Sequence, residues 1–214
     1  MTINRDTLFY GSFAKEAGNM GCKLFNFSFS YHGLNAIYKS FSVNNIKDAV
    51  FSAKTLNMNG FAVTMPFKTE ILNYVDKKTE SVEKIGAANT VINKDGQLEA
   101  HNTDYFAAET ILKNLEDDYL YILGKGGYSK AVQYAAKTLN IPHETVTRKN
   151  WNDIKHIKNS TIYNCTPVEN IKYDKSNQFI DCVLTSATGK KLALLQASRQ
   201  FELYTGLEFP MTNE

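Results

Sequence analysis

Short apolar runs of strand length alternate along this chain with stretches whose apolar residues recur at helical spacing. Leu8-Phe9-Tyr10-Gly11 reads as a first strand, and a loop carrying Gly18, Asn19 and Gly21 leads into a helix over about 23–31. Residues 36–41 alternate like a half-buried strand. Asn44 or Asn45 is then placed to cap a helix with Ile46, Ala49, Val50, Ala53 and Leu56 on one face. Phe61-Ala62-Val63 follows as a short buried strand that Pro66, lacking an amide hydrogen, must end. Beyond it, 69–75 shows helical spacing. This order of strand, helix, strand, helix, strand predicts a mainly parallel sheet with helical crossovers.

Residues 84–92 run into Asn93-Lys94-Asp95-Gly96, and Asp-Gly between strand-like segments predicts a hairpin returning over 97–101. Asp104 is then positioned to cap a helix over 105–114. Glu116-Asp117-Asp118 marks a polar break, so a domain boundary is expected within 105–116. The second half repeats the strand-then-helix pattern. A strand over 119–123 meets Gly124-Lys125-Gly126-Gly127-Tyr128-Ser129, a helix runs to about 139, and strands follow near 144–146, 161–164 and 180–184. A last helix spans about 190–204, with Leu192, Leu195, Ala197 and Phe201 among polar residues.

With 214 residues the chain can bury one large core or two smaller ones, and the pattern favours two. The net charge of +2 is near balance, and no cluster of lysine and arginine interleaved with aromatics marks a nucleic-acid groove. The N-terminal residues have no apolar run like that of a signal peptide, and no stretch has the length to span a bilayer, so a cytoplasmic protein without membrane contact is expected. Cys22, Cys165 and Cys182 are too widely spaced for a disulfide framework or a zinc site, and the four histidines make no ligand pair. No metal is expected.

Candidate chemistry gathers at two junctions. Thr64 and Lys68 lie just past a buried strand, a usual seat for functional groups in α/β folds, although most lysines are simply solvated. The glycine-rich turn between strand and helix lets backbone amides approach a pyrophosphate at a helix N-terminus; a plain glycine turn is the alternative. Ser129 holds the third small position of that turn. Thr147-Arg148-Lys149 ends the next strand, where arginine suits the 2'-phosphate of NADP and an acid would suit NAD, unless the cations form only a solvated turn.

Several stretches together resemble the shikimate dehydrogenase family, in its order and over nearly the whole chain. Gly60-Phe61-Ala62-Val63-Thr64-Met65-Pro66-Phe67-Lys68 is similar to its Gly-x-Asn-Val-Thr-x-Pro-x-Lys motif. Gly86-Ala87-Ala88-Asn89-Thr90, Asn102-Thr103-Asp104, Gly124-Lys125-Gly126-Gly127, Thr147-Arg148-Lys149, Asn164-Cys165-Thr166-Pro167 and Gln196-Ala197 with Phe201-Glu202-Leu203-Tyr204-Thr205-Gly206 continue the series.

The resemblance implies an α/β protein with an N-terminal substrate-binding domain over 1–108, a trimmed Rossmann-type NADP-binding domain over 109–188, and a C-terminal helix over 189–214 returning to the first. It implies NADP-dependent interconversion of shikimate and 3-dehydroshikimate. Lys68, paired with Asp104, would handle the hydroxyl proton during hydride transfer. Thr64, Asn89 and Gln196 would bind substrate hydroxyls or carboxylate. Gly124, Gly126, Gly127, Tyr128, Ser129, Thr147, Arg148, Lys149 and Thr166 would hold the cofactor. Quinate or another cyclitol acid is the alternative substrate, and a nucleotide-binding regulatory module with little turnover is the alternative role; monomer and homodimer both stay open.

Three departures bear on these expectations. The family's Ser-x-Ser carboxylate pair falls, by count from Gly33-Leu34-Asn35-Ala36-Ile37-Tyr38, at Asn19 and Gly21, not at Ser28 and Ser30. Asn19 thus becomes a substrate-binding candidate. Ala62 stands in place of the motif's asparagine. Only Leu184 to Thr188 separates Val183 from Gly189, where the family has another strand, loop and helix.

Overall fold

The computed structural model describes residues 3–115 and 119–210, so the polar break expected at 116–118 lies outside the described residues. The chain divides into two compact units, Met1–Thr103 with Ala197–Glu214, and Asp104–Gln196. Each has its own sheet.

In the first unit, β1 (Leu8–Ala14), α1 (Met20–Tyr31), β2 (Ala36–Ser42), α2 (Ile46–Thr55) and β3 (Gly60–Val63) follow the predicted alternation. Asn45 caps α2 as expected, its side chain accepting from Asp48 N at 2.8 Å. Leu56, expected on the apolar face of α2, lies beyond its last residue and is 62% exposed. The chain continues through β4 (Lys77–Lys78), α3 (Glu80–Ile85), β5 (Thr90–Lys94) and β6 (Gln97–His101). Strand order is β2-β1-β3-β5-β6-β4.

This sheet is mixed where a mainly parallel one was expected. β2, β1 and β3 are parallel, but β5 runs antiparallel to β3 and to β6. The β5–β6 reversal is the expected hairpin, whose Asp95 and Gly96 both take positive φ, 52° and 87°; the β3–β5 reversal is separate from it. Phe13, Ile46, Val50, Phe61, Val63, Ile71 and Leu98 pack one core beside the sheet. Each such side chain contributes about 1.5–3 kcal/mol by leaving water.

The helix expected over 69–75 is a single 3-10 turn, Glu70–Asn73. It cannot continue because Asp76 is already committed to β6: its amide donates to Leu98 O at 2.9 Å, and its carboxylate accepts from Leu98 N at 2.7 Å.

In the second unit, α4 (Thr103–Leu112) precedes β7 (Leu120–Leu123), α5 (Gly127–Thr138), β8 (His143–Val146), a 3-10 segment Trp151–His156, β9 (Thr161–Asn164) and β10 (Gln178–Asp181). The order β10-β9-β7-β8 is parallel throughout. Ala107, Ala108, Leu112, Ile122, Val132 and Tyr163 fill one core, and Leu123, Val146, Ile154 and Ile162 another. Burial on both faces explains why the central strands β7 and β9 read as apolar runs, while the edge strands β8 and β10 carry more polar residues.

The last helix, α6 (Ala187–Thr205), starts in the second unit and ends in the first. The shortened connection before it is a closed turn. Ser186 Oγ accepts from Gly189 N at 2.9 Å, and a Cβ on Gly189 would lie 2.0 Å from Val183 O, so no side chain fits there.

Candidate functional site

Two backbone hydrogen bonds organise the first unit's polar residues. Val63 N donates to Asn89 O, and Ala88 N donates to Lys68 O, each at 2.8 Å. They clasp the segment carrying Thr64 and Lys68 to the segment carrying Asn89, so two separate motifs are brought together. Thr64 is exposed and Lys68 half-buried at the end of β3, while Asn89 is almost fully buried.

Asn89 is the hub. Its Oδ1 accepts from Thr103 N at 2.7 Å and from the Thr90 hydroxyl at 3.1 Å, and its Nδ2 donates to Thr103 Oγ1 at 2.9 Å. Gln200 Nε2 on α6 donates to Thr90 Oγ1 at 2.7 Å. Because Thr103 is the first residue of α4, Asn89 satisfies an amide at that helix's start, which corrects the expectation that Asp104 caps it. Asp104 lies instead inside the first turn, 1% exposed. Thr90, Thr103 and Gln200 went unnoticed in the sequence as members of this network. Gln200 sits one helical turn after the half-buried Gln196, a spacing that puts both on one face of α6.

Around α1 the departures from the family have structural counterparts. Asn19 is exposed at the N-cap position, its side chain making no capping hydrogen bond. A Cβ on Gly21 would lie 2.9 Å from Tyr38 Cε1, so the Tyr38 ring fills the space that a side chain at 21 would take. Burial pushes the Tyr38 phenol well above its ordinary range. Ser28 is fully buried and its hydroxyl donates to Leu24 O within the helix at 2.8 Å. Asn26 bridges α1 to β2, its Nδ2 donating to Tyr38 O at 2.9 Å and its Oδ1 accepting from Tyr38 N at 2.8 Å.

In the second unit the glycine-rich turn joins β7 to α5. Gly124 has φ +100°, and a Cβ there would meet Thr166 Cγ2 at 2.8 Å. Gly126 stands at the N-cap of α5 with nothing within 4 Å of an added Cβ. Gly127 opens the helix, and buried Ser129 donates to Gly124 O at 2.6 Å, tying the turn shut from below. An open approach to a helix N-terminus over bare backbone fits a pyrophosphate. Tyr128 turns inward. Its hydroxyl lies 2.9 Å from that of Tyr163, and burial raises both phenols well above their ordinary range.

Two asparagines shape the flanking turns: Asn164, which opens one of the resembling stretches, and Asn150, which no motif marks. Asn150 Oδ1 accepts from Thr147 N at 2.8 Å, leaving Arg148 and Lys149 exposed at the end of β8. Fully buried Asn164 accepts from Thr166 N and Oγ1 at 2.9 and 2.7 Å and donates to Val168 O and Asp181 Oδ1, both at 2.9 Å. Asn164 is the last residue of β9 and Asn150 lies in the turn after β8, places where an asparagine side chain can mimic a backbone turn. Among the described residues no group of three or more His, Cys, Asp or Glu gathers to hold a metal ion. No helix among them has the length and apolarity to cross a membrane.

The family model of the shikimate dehydrogenase substrate binding domain matches residues 19–91. The shikimate dehydrogenase (NADP(+)) of Clostridium beijerinckii is 30% identical over 183 residues, 75% of this chain and 68% of that protein. The chain belongs to the shikimate dehydrogenase family. Another family member, the shikimate dehydrogenase (NADP(+)) of Methanosphaera stadtmanae, is 35% identical over 179 residues, covering 80% of this chain and 61% of its own length. The chain spans about half to two thirds of the length of the curated family relatives it matches. Among solved structures, a shikimate 5-dehydrogenase-like protein superposes with a TM-score of 0.82 at 25% identity, covering 99% of this chain and 96% of the other. The family's α/β architecture, with its Rossmann-like second part, is thus retained here.

Proposed function

We propose that this chain is an NADP-dependent oxidoreductase that interconverts shikimate and 3-dehydroshikimate. The observation that carries the reading is the backbone clasp that joins the segment carrying Thr64 and Lys68 to the segment carrying Asn89. Residues 1–108 serve as the substrate-binding part, 109–188 as the cofactor-binding part, and 189–214 as the returning helix. NADP is the cofactor that the relatives' names carry. Gly124, Gly126, Gly127 and Ser129, with the backbone of Tyr128, cradle its pyrophosphate; Thr147, Arg148 and Lys149 take its 2'-phosphate; Thr166 borders it. When bound, it supplies the hydride acceptor for the substrate's carbinol carbon.

The chain's own residues manage the proton and the pose. The Lys68 ammonium donates a hydrogen bond to the oxygen that changes between alcohol and ketone, and Asp104 is its partner in handling the hydroxyl proton. Thr64, Asn89 and Gln196 bind the ring's hydroxyls or carboxylate, and Asn19 contributes to the carboxylate subsite from the position of the first family serine. Asn19 and Gly21 stand where the family has serines, so carboxylate binding differs here, and a related cyclitol acid such as quinate is the alternative substrate. A nucleotide-binding module with little turnover is the outcome if neither acid reacts.

The test is NADP reduction by the purified protein with shikimate and with quinate. Turnover with shikimate at the higher kcat/KM supports the first reading and preference for quinate the second. Tight NADPH binding without turnover on either acid refutes both.

A further inference from the structure

We propose that Cys165 and Cys182 form a redox couple, two neighbouring thiols that close to an intrachain disulfide when they meet a small-molecule disulfide. β9 and β10 are parallel, with Ile180 opposite Tyr163 and Asp181 opposite Asn164. One residue further, the same register sets Cys182 opposite Cys165. Both cysteines stay tied to the sheet at that point: Cys182 N closes the last β9–β10 rung by donating to Asn164 O at 3.1 Å, and Cys165 N donates to Leu123 O of β7 at 3.0 Å. Neighbouring strands lie about 4.7–4.9 Å apart, inside the Cα separation of about 4.4–6.8 Å that a disulfide spans.

Side-chain alternation puts both sulfurs on one face. Ile162 and Phe179 pack on one side of the sheet, and Tyr163 and Ile180 on the other. Cys165 and Cys182 each lie two positions beyond Tyr163 and Ile180, and both pack against that same cluster. Cys182 Sγ reaches toward the adjoining turn, 3.6 Å from Thr166 O. Both thiols are half-buried, so a small reagent can reach them. Cys22, the third cysteine, lies on α1 with its sulfur 3.2 Å from Ser40 Oγ and supplies an internal control.

The chemistry balances as thiol–disulfide exchange. One cysteine thiolate attacks a sulfur of the reagent, forming a mixed disulfide and releasing one reagent thiol. The second thiolate attacks the protein sulfur of that bond, forming Cys165–Cys182 and releasing the other. The protein loses two protons and two electrons, and the reagent gains them. The bond would tie the Asn164-Cys165-Thr166-Pro167 turn, which packs over Gly124, to the end of β10.

The experiment exposes the whole protein to glutathione disulfide, blocks remaining thiols with iodoacetamide, and maps the digested peptides by mass spectrometry. The expected result is a linked Cys165–Cys182 peptide lacking two hydrogens, with Cys22, equally half-buried, alkylated or carrying a single glutathione, and a Cys182→Ser variant in which Cys165 stops at the glutathione adduct. Wild-type protein that keeps glutathione on either cysteine, or leaves both alkylated, overturns the proposal. Neither readout involves turnover, so failure here leaves the proposed function standing.

Discussion

The two units build their candidate sites by opposite means. In the first, side chains make the arrangement: Asn89 joins Thr90 and Thr103, and Gln200 closes on Thr90. In the second, the arrangement depends on side chains being absent, at Gly124 and Gly126, with Ser129 and Asn164 folding backbone turns from beneath. The difference follows from what each is read to bind. A hydroxylated ring is recognised by placed donors and acceptors, whereas a pyrophosphate is recognised by bare amides at a helix end.

Two glycines sharpen that contrast most. Gly126→Val adds bulk where space is open, so the fold should hold while NADPH binding weakens roughly hundredfold, the equivalent of one or two charge-assisted hydrogen bonds. Titration of NADPH fluorescence measures it. Gly124→Ala acts the other way, because φ of +100° and the Thr166 methyl at 2.8 Å both oppose a Cβ. It should cost stability by more than about 1 kcal/mol in urea unfolding. Equal stability loss in the two variants would break the comparison.

Arg148→Asp comes next in expected size. Replacing an exposed cation read as a 2'-phosphate partner should lower the preference for NADP over NAD roughly 10- to 100-fold, as the ratio of kcat/KM for the two nucleotides would report. An unchanged ratio would reduce Arg148 to a solvated turn residue.

The asparagine hubs separate fold from chemistry. Asn164→Ala orphans Thr166 N, and Asn89→Ala orphans Thr103 N, so each should destabilise by about 1–3 kcal/mol per buried group left unpaired. Only Asn89→Ala should also raise KM for the ring acid. A KM shift of the same size in both variants would remove the distinction.

The smallest effect expected is a pH slope. Burial, the larger influence, holds the His101 imidazole below its ordinary value of 6.5, against the upward pull of Glu99, whose Oε1 lies 2.8 Å away. The folded protein therefore binds fewer protons than the unfolded chain just below pH 6.5, and stability should fall as pH is lowered through that range. His101→Gln should flatten the slope in urea midpoints measured between neutral and mildly acidic pH.

Local patterns explain what the sequence made legible. The β5–β6 hairpin, the Asn45 cap and the glycine-rich turn each depend on residues close together in the chain, and each stands where its pattern put it. The antiparallel pairing of β3 with β5 was not legible, because a strand's partner is set by packing of distant segments. The same holds for Asn89: its role at the start of α4 needs a side chain to reach across from another motif, which made Asp104 look like the cap. The short turn at Glu70–Asn73 likewise reflects the grip of β6 on Asp76.

The most direct test of the division of labour is the rate of NADP reduction by shikimate in Lys68→Ala, set beside its affinity for NADPH. A proton-handling lysine supplied by the side-chain-built unit predicts a fall in kcat of roughly 10²–10⁴-fold with nucleotide affinity and Tm unchanged. Undiminished turnover in the folded variant would contradict the assignment of Lys68 and the reading built on it.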